Sequence, residues 1–205
     1  MAPDEYLEMI LKHGQRSAAE SLGDEPAQAL SSAVWKRYYA LERTTPRFHE
    51  RTNRKLFVAA VPLVALYQTL RQDFALEQDP ALVLAERMLR DAYADRIGPV
   101  MITAVNAMYQ LRPVRSLLVK RLMKTNEPEG FRFENLDEPE TVMAFDVLAC
   151  PIVNFAKQHG VPEIVPVICR LDDLVAEHLV GIELRRESTI GMGAKRCDFR
   201  YVRTK

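Results

Sequence analysis

The chain predicts an α+β fold, a helical N-terminal half packed with a C-terminal antiparallel sheet and two helices, and two observations carry that expectation. Through roughly the first 125 residues, apolar side chains recur at spacings of three and four, the periodicity of amphipathic helices. From about Glu129 the pattern changes to short runs rich in β-formers, in the order strand, strand, helix, helix, strand, strand. With 205 residues, 48% hydrophobic and 27% charged, the chain can bury a sizeable core. We read 1–205 as one domain, with 1–125 its mainly helical part and 126–205 its α+β part.

The elements follow in order. A first helix is expected from Pro3 to Leu22, stopped by Gly23. A second starts at Pro26, a residue suited to the first turn, and runs through PAQALSSAVWKRYYALERT. A third carries HERTNRKLF into the apolar run LFVAAVPLVALYQTL, with a bend at Pro62. A fourth covers ALVLAERMLRDAYADRI up to Gly98, and a fifth covers VMITAVNAMYQL and continues past Pro113. Then GFRFENL and TVMAFDVLA read as strands across the turn signal DEPE. PIVNFAKQH and the segment from Glu163 to Leu179 read as helices, and IELRREST, a GMG turn and RCDFRYVR as a terminal β-hairpin.

Composition narrows the function. Lys and Arg number 28, as do Asp and Glu, so no net charge draws the chain to nucleic acid or an anionic membrane. The start MAPDEYLEMILKHGQR is acidic before it is apolar, the reverse of a secretory signal. The apolar run from Leu56 falls short of the roughly 20 residues that a membrane span requires. Three cysteines, an odd and small number, argue for reduced thiols and a cytoplasmic location.

All three cysteines fall in the last third. Cys150 precedes Pro151 and takes the N-cap place of the next helix, where backbone N–H groups lower a thiol's pKa; the plainer alternative is a thiol packed under the sheet. Cys169 lies in CRLDD on the following helix, whose buried stripe is Ile164, Ile168, Leu171, Val175 and Leu179. Asp172 borders that stripe one turn after Cys169, as a pocket carboxylate or a solvated one; Asp173 points further out, and Glu177 and His178 read as surface. In RCDFRY the two-residue period puts Cys197, Phe199 and Tyr201 on an inner face and Asp198 and Arg200 on the other.

This ordered set of residues resembles the C-terminal pattern of the L-2-amino-thiazoline-4-carboxylic acid hydrolases. The pattern is a Cys-Pro before a helix, a Cys-x-x-Asp on a second, and an Arg-x-x-Thr strand leading through a glycine turn to Cys-Asp-Phe. Here it is met by Cys150-Pro151, Cys169 to Asp172, Arg186 to Thr189, Gly193 and Cys197-Asp198-Phe199. The resemblance implies a hydrolase that opens a cyclic, amidine-like C–N bond in a small thiazoline carboxylate. It implies catalytic roles for Cys150, Asp172, Cys169 and Cys197, and substrate contacts for Arg186, Thr189, Phe199 and Asp198. Two mechanisms are open: a thiolate attacks while a carboxylate such as Asp172 shuttles protons, or a metal held by thiolates activates water. Spacings of 19 and 28 residues fit no compact metal motif, so no cofactor is expected, with Cys-held zinc or iron the runner-up. Arg186 suits a carboxylate clamp.

The hairpin resembles, more distantly, the ending of vinyl-reductase-type ligand-binding domains, although the strand before its turn lacks the cysteine of their zinc sites. The alternative function is therefore a non-catalytic small-molecule sensor. The partner expected is a small-molecule substrate, without nucleic acid or membrane, in a possible homo-oligomer; a structural partner burying its helices is a third reading.

Overall fold

A computed structural model describes residues 2–96, 98–125 and 127–204. The first expected helix is two, α1 (Pro3–His13) and α2 (Gln15–Leu22), broken at Gly14. The break is steric in origin: a Cβ on Gly14 would lie 2.6 Å from Cβ of Met88, so the chain turns there against a neighbouring helix. The second, α3 (Asp24–Glu42), starts two residues ahead of Pro26. Pro26 still sits in the first turn, where its missing N–H has no intrahelical partner to lose.

The expected bend at Pro62 is instead a break three to four residues earlier, at Val58 and Ala59. α4 (Arg51–Phe57) ends before α5 (Ala60–Gln72), and Pro62 lies harmlessly in the first turn of α5. Every residue of α5 from Ala60 to Leu70 is buried, which explains an apolar run too short for a bilayer. It is a core helix wrapped by other helices. Among the described residues no helix is long and apolar enough to cross a membrane.

α6 is Gln78–Arg96, and the expected end at Ile97 lies outside the described residues. The fifth expected helix divides into α7 (Pro99–Gln110) and α8 (Arg112–Met123) at Leu111, whose ψ of 110° is extended. The pair is lightly packed: Tyr109 is the one buried residue of α7, and α8 buries none.

The second half forms β1 (Arg132–Leu136), β2 (Thr141–Ala149), α9 (Pro151–Gln158), a 3-10 turn at Pro162–Ile164, α10 (Val165–Ala176), β3 (Ile182–Arg185), a 3-10 turn at Ile190–Met192, and β4 (Cys197–Arg203). The sheet is antiparallel in the order β1-β2-β4-β3, and the fold is α+β as expected. The register pairs Val147 with Cys197, Phe145 with Phe199 and Met143 with Tyr201. Alternation along each strand turns these six side chains to the inner face, and all are buried. Asp146 and Asp198, paired on the opposite face, would repel. Arg196 and Arg200 offset this by meeting Asp146 at 2.8 and 3.0 Å.

Asn53 ties the two halves together. Fully buried on α4, it donates through Nδ2 to Glu127 and accepts the Phe131 N–H at 3.0 Å through Oδ1. Gly130 is required beside it, because a Cβ there would collide with the Asn53 amide.

Candidate active site

The inner face of the sheet does not close on the helices. A cavity of about 480 Å³ separates them. The sheet contributes Met143, Phe145, Phe199 and Tyr201, with the Phe145 and Phe199 rings stacked at 4.9 Å. The helical wall comes from α1, the α4–α5 junction, α6, α7 and α8. Tyr109 of α7 meets Tyr201 ring to ring at 4.7 Å, and its hydroxyl donates to the Tyr201 hydroxyl at 3.2 Å.

α10 closes one end. Leu171 and Val175, expected in its buried stripe with Ile164, Ile168 and Leu179, are only half-buried because they face this cavity. So does Asp172. Its side chain keeps 48% of its surface accessible and lines the cavity. Burial raises the Asp172 carboxyl to about 6, against the pull of Arg186, which alone would lower it.

Arg186 is 8% exposed and donates from Nη1 to Asp172 Oδ2 at 3.0 Å and from Nη2 to Asp173 Oδ1 at 2.9 Å. Nη2 also donates to the Cys169 carbonyl at 3.2 Å, and the guanidinium lies 5.0 Å from the Phe199 ring centre. The expected clamp for a substrate carboxylate thus grips the protein's own carboxylates. Asp173 does not point away, as its place on the helix suggested, but shares Arg186 with Asp172.

The three cysteines, far apart in sequence, line this one cavity together. Burial, however, raises the thiol of each. Cys150 stands at about 11 and Cys169 at about 12, the latter raised further by Asp172. Cys150 is at the N-cap, as the sequence implies, but its sulfur makes no capping hydrogen bond; the N–H groups of Ile152 and Val153 only temper the rise. The expectation of a depressed Cys150 pKa is therefore corrected: an apolar wall outweighs a helix N-terminus. Cys197 is raised by burial too, although the Ile190 N–H, 3.2 Å away, donates to its sulfur and works against the rise.

Two expected substrate contacts lie elsewhere. Thr189 is buried and caps the 3-10 turn, its Oγ1 accepting the Met192 N–H at 3.2 Å. Asp198, on the far face of the sheet, accepts the Ser188 N–H at 2.7 Å and the Ser188 hydroxyl at 2.9 Å. Both shape the loop from Arg186 to Cys197 without lining the cavity. Phe199 does line it. Sequence reasoning missed Tyr109 and Lys55, the latter on α4 at the cavity's exposed rim. Neither carries a local signal, since both reach the site only through tertiary packing. Among the described residues, no group of three or more His, Cys, Asp or Glu side chains is arranged to hold a metal ion.

A deep, largely apolar cavity with one end polar defines a small-molecule site. The profile of the L-2-amino-thiazoline-4-carboxylic acid hydrolase family matches residues 53–201, well over half of the chain. The chain belongs to that family. No curated protein and no solved structure matches it. The family match does not favour the sensor alternative.

Proposed function

We propose that the protein hydrolyses a cyclic, amidine-like C–N bond of a thiazoline-carboxylate type, with Asp172 as general base and without a metal. The observation that carries this reading is the Asp172 carboxylate, held by Arg186 at 3.0 Å, facing a largely apolar cavity lined by three thiols, with burial raising the carboxyl to about 6 and the thiols upward as well. A base of that pKa is largely ionised at neutral pH and can still give its proton back. Thiols at about 11 and 12 offer almost no thiolate, so water is the better-supported nucleophile.

The water oxygen bonds to the amidine carbon as Asp172 takes its proton. Asp172 passes that proton to the ring nitrogen, then takes the second water proton from the hydroxyl of the adduct and delivers it to the same nitrogen as the carbonyl forms and the C–N bond breaks, so the step consumes one water and leaves the enzyme unchanged. Arg186 holds Asp172 in position and keeps its pKa from rising further. Cys150, Cys169 and Cys197 form the wall against which the ring packs.

Purified protein should release ring-opened product from 2-amino-thiazoline-4-carboxylate, undiminished after chelation. Asp172→Asn should lower kcat by roughly 10²- to 10⁴-fold, whereas Cys150→Ser should cost less than about tenfold. A Cys150→Ser variant as inactive as Asp172→Asn would replace water by a covalent thiol route. Activity lost with a stoichiometric metal would overturn the metal-free reading.

A further inference from the structure

The size and lining of the cavity do not suit a small polar substrate alone. A thiazoline carboxylate occupies roughly 150–200 Å³ at the density of protein interiors. That is less than half of the cavity's 480 Å³. The surplus is apolar: stacked Phe145 and Phe199, Phe133 and Met143 from the sheet, and Leu118 and Leu122 from α8. Water gains few partners on such a surface. The charged side chains that line the cavity are Asp172, Arg186 and Lys55. Arg186 is already engaged by two carboxylates, and Lys55 is at the rim. Of these charged groups, the one turned to a ligand inside is the accessible carboxylate of Asp172.

We infer that the natural substrate is an amphiphile: an amidinium-like head that donates N–H groups to Asp172, joined to an apolar body that fills the aromatic lobe. An amidinium N–H can donate to Asp172 Oδ1, the oxygen that Arg186 does not engage, as a charge-assisted hydrogen bond. The unfilled lobe has room for roughly ten carbon atoms at protein-like packing. The lightly packed α7–α8 pair, through Met101, Leu118 and Leu122, supplies a wall that adapts to the body's shape. The head chemistry rests on the proposed hydrolytic reading; the apolar body rests on the cavity itself.

A series of 2-aminothiazolines carrying linear 4-alkyl groups, from none to about twelve carbons, tests this by calorimetric binding, with product release followed in parallel. Affinity should rise roughly fourfold per methylene until the lobe is full, then level. Affinity that is flat or falls with length would overturn the proposal whatever the turnover. Rising affinity without product from any member would uphold the ligand class and refute the hydrolytic reading. Alkyl carboxylates of matched length should bind roughly tenfold more weakly or worse; equal binding would overturn the cationic head. Leu118→Trp should move the plateau to shorter chains and Leu118→Ala to longer ones. Should the tryptophan variant not fold, the alanine variant suffices, and a plateau that it leaves unmoved would exclude this cavity as the chain's seat.

Discussion

Asp172 and Arg186 form the pair on which the site's pH behaviour turns. The Asp172 carboxyl is raised by burial and pulled down by Arg186, so removing the guanidinium leaves burial unopposed. Arg186→Gln should therefore move the acid limb of kcat/KM to higher pH than the wild-type limb near 6, which a pH–rate profile reads directly. Stability carries the same signature. Because the folded pKa of about 6 lies above the ordinary 3.8, the folded state holds this proton more tightly. The stabilisation is fully present below the ordinary pKa and is lost as pH rises through about 6. Asp172→Asn should thus gain stability relative to wild type between those limits, seen as a Tm difference that grows with pH. Much of the site was legible at this scale, because Cys150, Cys169, Cys197, Asp172, Arg186 and Phe199 stand in an ordered local pattern and converge on one cavity. The thiol environments were not legible. Whether a helix N-terminus or an apolar wall dominates depends on what is packed against it, and the sequence around Cys150 shows only the first.

At the scale of elements, the sequence announced each helix and strand by its period but misplaced the breaks. Pro62 and Pro113 were visible signals, yet both sit in first turns, where proline is tolerated. The break at Gly14 answers to Met88, 74 residues away, and nothing local foretells that contact. Gly14→Ala should accordingly cost about 1–3 kcal/mol, because neither the α1–α2 junction nor the Met88 stem can move aside freely. A thermal or denaturant melt would measure it. Asn53, inside HERTNRKLF, makes the complementary case. Its role as the link from α4 to the strand half depends on Glu127 and the Phe131 N–H. Asn53→Ala should lose about 1–3 kcal/mol by leaving the buried Phe131 N–H unpaired and removing the donor to half-buried Glu127. An Asn53→Asp variant should fare no better, since it sets a carboxylate against Glu127.

For the whole molecule, the cavity decides how the halves depend on each other. The inner face of the sheet is aromatic, and the helices across the cavity shield it from water. A fragment spanning 127–205 alone should expose Phe145, Phe199 and Tyr201 and aggregate, whereas co-expression with 1–125 should restore a soluble, cooperatively melting complex. The polar end of the site lies wholly between Cys150 and Cys197, inside the region shared with the family. Tyr6 and Met9 of α1 line the same cavity, yet they precede that shared region. One cavity thus draws its lining from both sides of the boundary at which the family match begins. Whatever enters therefore meets a polar end drawn from the matched segment and an apolar wall that α1, lying before it, helps to complete.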